Sequence, residues 1–149
     1  MIISIKDNFI SKKDCDFTIK TYHDNKDKVR KWRDTYPLSI HDFGSLTDKL
    51  NKEAKLINNS VLDWIEIVKW PIGSRHDLHY DLAKSNTTLA CIIYLNEDFT
   101  DGYTYFEDGT IIAPKIGRVA FFDGCYYKHG VKEIKDSVRF TVAGWFKGL

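Results

Sequence analysis

Cysteine is scarce in this chain of 149 residues, and the three present, Cys15, Cys91 and Cys125, form neither an even count nor a paired spacing. That argues against a disulfide framework and suits reduced thiols in a reducing compartment. No apolar run is long enough to span a bilayer. The opening stretch, MIISIKDNF, has an acidic residue and no leader-like apolar core, so a cytoplasmic protein with no membrane attachment is expected. An excess of one charge is also missing. With 22 Lys and Arg against 21 Asp and Glu, the net charge of +1 gives no broad basic field for nucleic acid or an anionic membrane. Repeats, low-complexity tracts and linkers are absent as well, and the length suits one domain over 1–149.

The first part of the chain reads as support. A short strand over Ile2 to Ile5 is followed by a helix signalled by Ser11 with Asp14 three residues on, a variant of the capping box. Ile10 and Cys15 occupy the staple positions, and Cys15, Ile19 and Tyr22 recur at helical spacing. The charged run from Asp24 to Arg33 reads as a solvated end, and the connection from Arg33 to Gly44 as either a flap over a site or a surface loop. A second helix is expected from Ser45, with Leu46, Leu50, Ala54 and Ile57 on one face, until Asn58-Asn59-Ser60 ends it.

The remainder reads as short strands: Val61 to Trp70, Thr87 to Leu95, Gly102 to Phe106 and Thr110 to Ala113 around an Asp108-Gly109 turn, Val119 to Phe122, Tyr127 to Ile134, and Val138 to Phe146. With no long helix between them, the expected class is mainly β (α+β). It is an antiparallel sandwich or jelly roll over 61–146, with the two N-terminal helices of 1–60 packed outside one sheet.

The chemistry gathers in two places. On the last strand Arg139, Thr141, Ala143 and Trp145 share one face, while Val138, Phe140, Val142 and Phe146 share the other. A guanidinium on such a face is costly without an anion, so Arg139 calls for a carboxylate, with His129 expected across a short hairpin from it. The segment WPIGSRHDLHYD, Trp70 to Asp81, supplies His79 and Asp81, which at i and i+2 project to one side of an extended chain. With His129 they would make a two-histidine, one-carboxylate triad of the kind used by non-haem Fe(II) oxygenases. Taken alone, the pair also fits a surface turn with solvated side chains. His76 and Asp77 are competing ligands, ranked lower because a three-residue spacing puts the His76 and His79 rings on opposite sides of a strand. His23 and His41 are expected at the surface.

These residues resemble the prolyl 4-hydroxylase-like branch of the 2-oxoglutarate and Fe(II)-dependent dioxygenases over roughly the last three fifths of the chain. The matching motifs are His79-Tyr80-Asp81, Tyr94-Leu95-Asn96, Gly102-Tyr103-Thr104-Tyr105-Phe106, Pro114-Lys115-Ile116-Gly117, His129-Gly130-Val131, and Arg139 with Trp145. The resemblance implies a double-stranded β-helix in which His79, Asp81 and His129 bind iron. Arg139 would grip the distal carboxylate of 2-oxoglutarate with help from Tyr94 and Thr141, and Trp145 would wall the pocket. Departures are Trp70 where the family usually has Tyr, which removes a hydroxyl near the cofactor, and Asp101-Gly102 for a Gly-Gly pair. Asp81 argues against halogenation, and Trp145 stands where nucleic-acid demethylases carry a second arginine.

The implied reaction consumes O2 and 2-oxoglutarate, releases succinate and CO2, and hydroxylates an unactivated C–H bond, with ascorbate as a supporting reductant. A peptidyl proline is the leading substrate by family likeness, in a groove formed by the 33–44 connection and the 98–102 loop. The alternatives are a free amino acid or other small molecule, or a non-catalytic jelly-roll module. Tyr127 is a candidate for the substrate entrance, and Tyr126 is expected to point outward or into the core.

Overall fold

The computed structural model describes residues 2–81 and 86–149. The elements in chain order are β1 (Ile2–Lys6), α1 (Lys12–Asp24), β2 (Tyr36–Ile40), α2 (Ser45–Asn58), β3 (Ser60–Trp70), β4 (His76–His79) and β5 (Thr87–Tyr94). There follow β6 (Thr100–Asp101), β7 (Thr104–Phe106), β8 (Ile111–Ile112), β9 (Val119–Phe122), β10 (His129–Val131), β11 (Ile134–Lys135) and β12 (Arg139–Gly148). The larger sheet has the order β1-β9-β5-β12-β3-β2, the smaller β4-β10-β7-β8, and β11 pairs with β6. All these pairings are antiparallel. The described residues are mainly β with two α-helices, and among them no helix is long and apolar enough to cross a membrane.

Local chemistry bounds both helices. Ser11 Oγ accepts from the Asp14 N–H at 3.1 Å and starts α1. Before α2 the chain turns through Gly44 at φ +59°, and Thr47 Oγ1 accepts from the Phe43 N–H. Asn59, in the left-handed conformation, closes α2 by donating its N–H to the carbonyls of Ala54 and Lys55.

The centre of the larger sheet is buried on both faces, which explains why its central strands are nearly continuous in apolar residues. Outward-facing Ile65, Ile67, Leu89, Ile93, Phe121, Val142 and Phe146 pack with Cys15 and Tyr22 of α1 and Leu46, Leu50 and Ala54 of α2. The alternate residues face the smaller sheet. Ala90, Tyr94, Ala120 and Phe122 join Phe106 and Ile112 in a second cluster, and Val68 and Trp70 join Val131 and Ile134 in a third.

Four expectations are corrected. The 33–44 connection is not a free flap, because Tyr36–Ile40 pairs with β3 as an edge strand, a place where Pro37 is tolerated. Tyr127 to Ile134 is not one strand but divides into β10 and β11, which lie in different sheets. His129 and Arg139 therefore do not face each other across a hairpin: His129 lies in the smaller sheet and Arg139 in the larger. Finally, the His76 and His79 rings do not point to opposite sides. His129 pairs with His79 and Val131 with His76, so three steps on β4 match two on β10, and this bulge brings both rings to the same cavity.

Candidate metal centre and its cavity

Three ligand-type side chains converge where the edge of the smaller sheet meets the larger one. Suitable atoms of His79, Asp81 and His129 all lie within 4.8 Å of one another, close enough to hold one metal ion. Asp81 Oδ1 is 3.9 Å from His79 Nε2 and 3.2 Å from His129 Nε2. β4 and β10 set the two imidazoles side by side, as His79 and His129 are register partners, and their ring centroids are 4.6 Å apart.

Each of the three side chains is held by a further contact. The Asp77 carbonyl lies 2.7 Å from His79 Nδ1, and the Tyr127 carbonyl 3.3 Å from His129 Nδ1. A carbonyl can only accept, so Nδ1 carries the proton in both rings and each Nε2 keeps its lone pair for a metal. Burial also lowers the pKa of His79 below its ordinary value, which favours the neutral ligand form, although the Asp77 bond opposes the shift. Trp145 Nε1 donates to Asp81 Oδ2 at 3.4 Å, which leaves Oδ1 turned toward the imidazoles. The Asp81 N–H donates to the Gly124 carbonyl at 2.7 Å.

Gly124 is a position beside the cluster that sequence reasoning missed. A Cβ there would overlap Asp81 Oδ2 outright and stand 2.9 Å from the Asp81 carboxylate carbon and 3.0 Å from His129 Cε1. Asp123-Gly124 reads in the sequence as an ordinary turn, with nothing to signal this close approach.

Behind the triad lies a cavity of about 120 Å³. A single water needs about 10–15 Å³ on this scale, so the space suits a small molecule. Its walls include the three ligand-type residues, Trp70, Arg139 and Thr141. Arg139 is 1 % exposed, yet the hydroxyls beside it, those of Thr104, with Oγ1 at 3.3 Å, and of Tyr94, are neutral. Its Nε has no partner, and among the described residues it forms no salt bridge. The guanidinium carbon lies 4.8 Å from the Trp70 ring centroid and 5.2 Å from that of Tyr94. Burial pushes the Arg139 pKa down, with Tyr94 opposing. A buried cation offset by ring faces and neutral hydroxyls fits an anion in the cavity.

The sequence-derived residues occupy distinct places here. Thr141 and Trp145 line the cavity, whereas Tyr94 stands behind Arg139, its hydroxyl bonded to Thr104 Oγ1 at 3.1 Å and to the Ile112 carbonyl at 3.3 Å. Tyr126 is 78 % exposed and points outward. His23, His41 and Asp77 are exposed too. His76 is buried beside Trp32 and Trp70, with Nε2 3.7 Å from Asp34 Oδ1, and lies outside the ligand cluster.

A second, larger cavity of about 340 Å³ shares Trp32, Glu66, His79, Asp81 and Trp145 with the first and adds Trp64 and Tyr80. Glu66, also missed in the sequence, is 5 % exposed and paired with Arg30 Nη2 at 2.5 Å. Its face of β3, shared with Trp64, Val68 and Trp70, carries the same signal as that of Arg139, a lone charge among apolar side chains.

Comparisons with known proteins agree with this geometry. The family model described as the 2OG-Fe(II) oxygenase superfamily matches residues 65–147, more than half of the chain. No curated protein sequence matches the chain significantly. Among solved structures, a viral collagen prolyl hydroxylase from Paramecium Bursaria Chlorella virus-1, in complex with 2-oxoglutarate, is 19% identical with a TM-score of 0.79, over 98% of this chain and 95% of that one. A Pseudomonas putida prolyl-4-hydroxylase is 17% identical with a TM-score of 0.75, over 98% and 92%. A Trichoplax adhaerens prolyl hydroxylase in complex with a hypoxia inducible factor peptide is 14% identical with a TM-score of 0.76, over 97% and 82%. At these identities the likeness is one of fold. The family assignment rests on the matched model: the chain belongs to the 2OG-Fe(II) oxygenase superfamily and is a 2-oxoglutarate-dependent dioxygenase.

Proposed function

We propose that this dioxygenase hydroxylates a peptidyl proline, with His79, Asp81 and His129 as the Fe(II) ligands and Arg139 as the anchor for 2-oxoglutarate, in a double-stranded β-helix formed by the two facing sheets. The observation that carries this is the pairing of a two-histidine, one-carboxylate cluster with a buried guanidinium that has no anion of its own, both in the wall of one small cavity. The donor set suits iron. Two neutral imidazoles and one carboxylate leave coordination positions open. A five-carbon dicarboxylate with a keto group at one end suits the cavity, since it can chelate a metal at that end and meet Arg139 at the other.

When bound, iron, 2-oxoglutarate and O2 supply the oxidant for C–H hydroxylation, with succinate and CO2 as the other products. The protein's residues orient and enclose. Arg139 offers a planar fork that a carboxylate can meet in two places, and Thr141 offers a hydroxyl on the same face. Thr104 and Tyr94 hold the guanidinium from behind. Trp145 fixes Asp81 and, with Trp64 at 4.7 Å between ring centroids, walls the outer cavity where the substrate would enter. The prolyl hydroxylases of the same fold support a peptide substrate, and the aromatic walls suit a proline ring. The three free cysteines support a reducing, cytoplasmic setting.

The test is succinate formation from 2-oxoglutarate under air with Fe(II) and ascorbate, with and without proline-rich peptides, comparing the intact protein with His79→Ala. Peptide-stimulated turnover, lost in the variant and accompanied by one added oxygen per peptide, is the expected result. Stimulation by free amino acids alone would overturn the peptidyl assignment.

A further inference from the structure

Besides Arg139 Nε, two buried side-chain polar atoms have no hydrogen-bond partner among the described residues, Trp70 Nε1 and His76 Nε2. His76 at least has the Asp34 carboxylate 3.7 Å away. Trp70 has nothing comparable. Its ring is 7 % exposed and packs with Val68, Val131 and Ile134. Above it lies the Arg139 guanidinium, which can only donate. An indole N–H is also only a donor, so neither group can satisfy the other, the apolar neighbours cannot accept, and the His76 ring, packed edge-on with its centroid 4.5 Å away, makes no hydrogen bond to it.

Trp70 is the register partner of Arg139 across β3 and β12, and both residues line the same cavity. The protein therefore keeps two unmet needs at one end of one small space, a cation without an anion and a buried donor without an acceptor. One carboxylate meets both, because it brings the charge and has lone pairs to spare beyond those facing the guanidinium.

We propose that Trp70 is a ligand-binding residue for the cosubstrate, its indole N–H donating to the same carboxylate of 2-oxoglutarate that Arg139 pairs with. This rests on the function proposed above and extends it by assigning a selectivity to the residue: Trp70 favours 2-oxo acids with a second carboxylate over those without one. It also explains how the cavity does without a tyrosine hydroxyl at this position, since the donor is supplied by an indole instead.

The test uses Trp70→Phe, which removes the N–H and keeps an aromatic face for Arg139. Dissociation constants for 2-oxoglutarate and for 2-oxobutanoate, which lacks the distal carboxylate, are measured by calorimetry on the Co(II)-loaded protein without oxygen. The expected result is a loss of about tenfold for 2-oxoglutarate, as for one hydrogen bond to a charged group, and an unchanged constant for 2-oxobutanoate. In the Zn(II)-loaded wild type, one of the four tryptophan indole N–H resonances should move on adding 2-oxoglutarate, and that resonance should be the one missing in Trp70→Phe. If that variant does not fold, benzothienylalanine at the same position removes the N–H at nearly constant shape and is expected to give the same selective loss. Unchanged 2-oxoglutarate affinity, or an equal loss for both acids, would overturn the proposal while leaving the dioxygenase site intact. Absence of 2-oxoglutarate binding by the metal-loaded wild type would overturn the site assignment together with it.

Discussion

Arg139→Met should move stability and cosubstrate affinity in opposite directions. The guanidinium is 1 % exposed, has no anion among the described residues, and touches two ring faces and neutral hydroxyls. Burying an ion costs several kcal/mol after relaxation. The two cation–π contacts return about 1–2 kcal/mol each and the Thr104 bond about 1 kcal/mol. A deficit on the order of 1–3 kcal/mol remains in the ligand-free protein, which a methionine of similar length would relieve. For a chain of this size each kcal/mol shifts Tm by about 2–4 °C, so ligand-free Arg139→Met should melt several degrees above wild type by scanning calorimetry. Its affinity for 2-oxoglutarate should instead fall at least about a hundredfold, because leaving a buried charge without its partner costs about 3–5 kcal/mol at 1.4 kcal/mol per tenfold. A lower Tm in Arg139→Met, or retained 2-oxoglutarate affinity, would show that the guanidinium is satisfied within the fold and would refute the reasoning.

Two further perturbations test the site from other sides. Gly124→Ala places a methyl against Asp81 and His129, so Asp81 must shift by far more than the roughly 0.2 Å that metal geometry tolerates. Co(II) affinity should drop by about tenfold to a hundredfold with little change in Tm, and titration calorimetry showing wild-type affinity would contradict the geometry. Burial, aided by His79, lowers the pKa of His76 from 6.5 to about 4. The folded value lies below the unfolded one, so the stability tied to the neutral ring is full above about pH 6.5 and is lost as pH falls toward 4, on the order of 3 kcal/mol over the span. Urea unfolding of the metal-free protein at pH 7 and pH 4.5 should therefore show a smaller acid loss in His76→Phe than in wild type, and equal losses would rule this out.

Much of the chain could be read from local pattern, and the rest could not, for reasons that individual residues make plain. Side-chain alternation on the last strand is a local property of extended backbone, so the division of Arg139, Thr141, Ala143 and Trp145 from Phe140, Val142 and Phe146 was legible without coordinates. Helix signals were local too: Ser11 with Asp14 for α1, and the left-handed Asn59 at the end of α2. What depended on the partner strand was not legible. The bulge that brings His76 and His79 to the same cavity exists only because β10 spends two residues where β4 spends three. The place of His129 in the smaller sheet and Arg139 in the larger follows from long-range pairing. So do the clearance that Asp81 requires at Gly124 and the isolation of the Trp70 N–H beneath a guanidinium. By itself the sequence determined which side chains share a face and which chemistry they could support. Tertiary structure decided which faces meet, because strand pairing and close approach join residues far apart in the chain through contacts that no local pattern encodes.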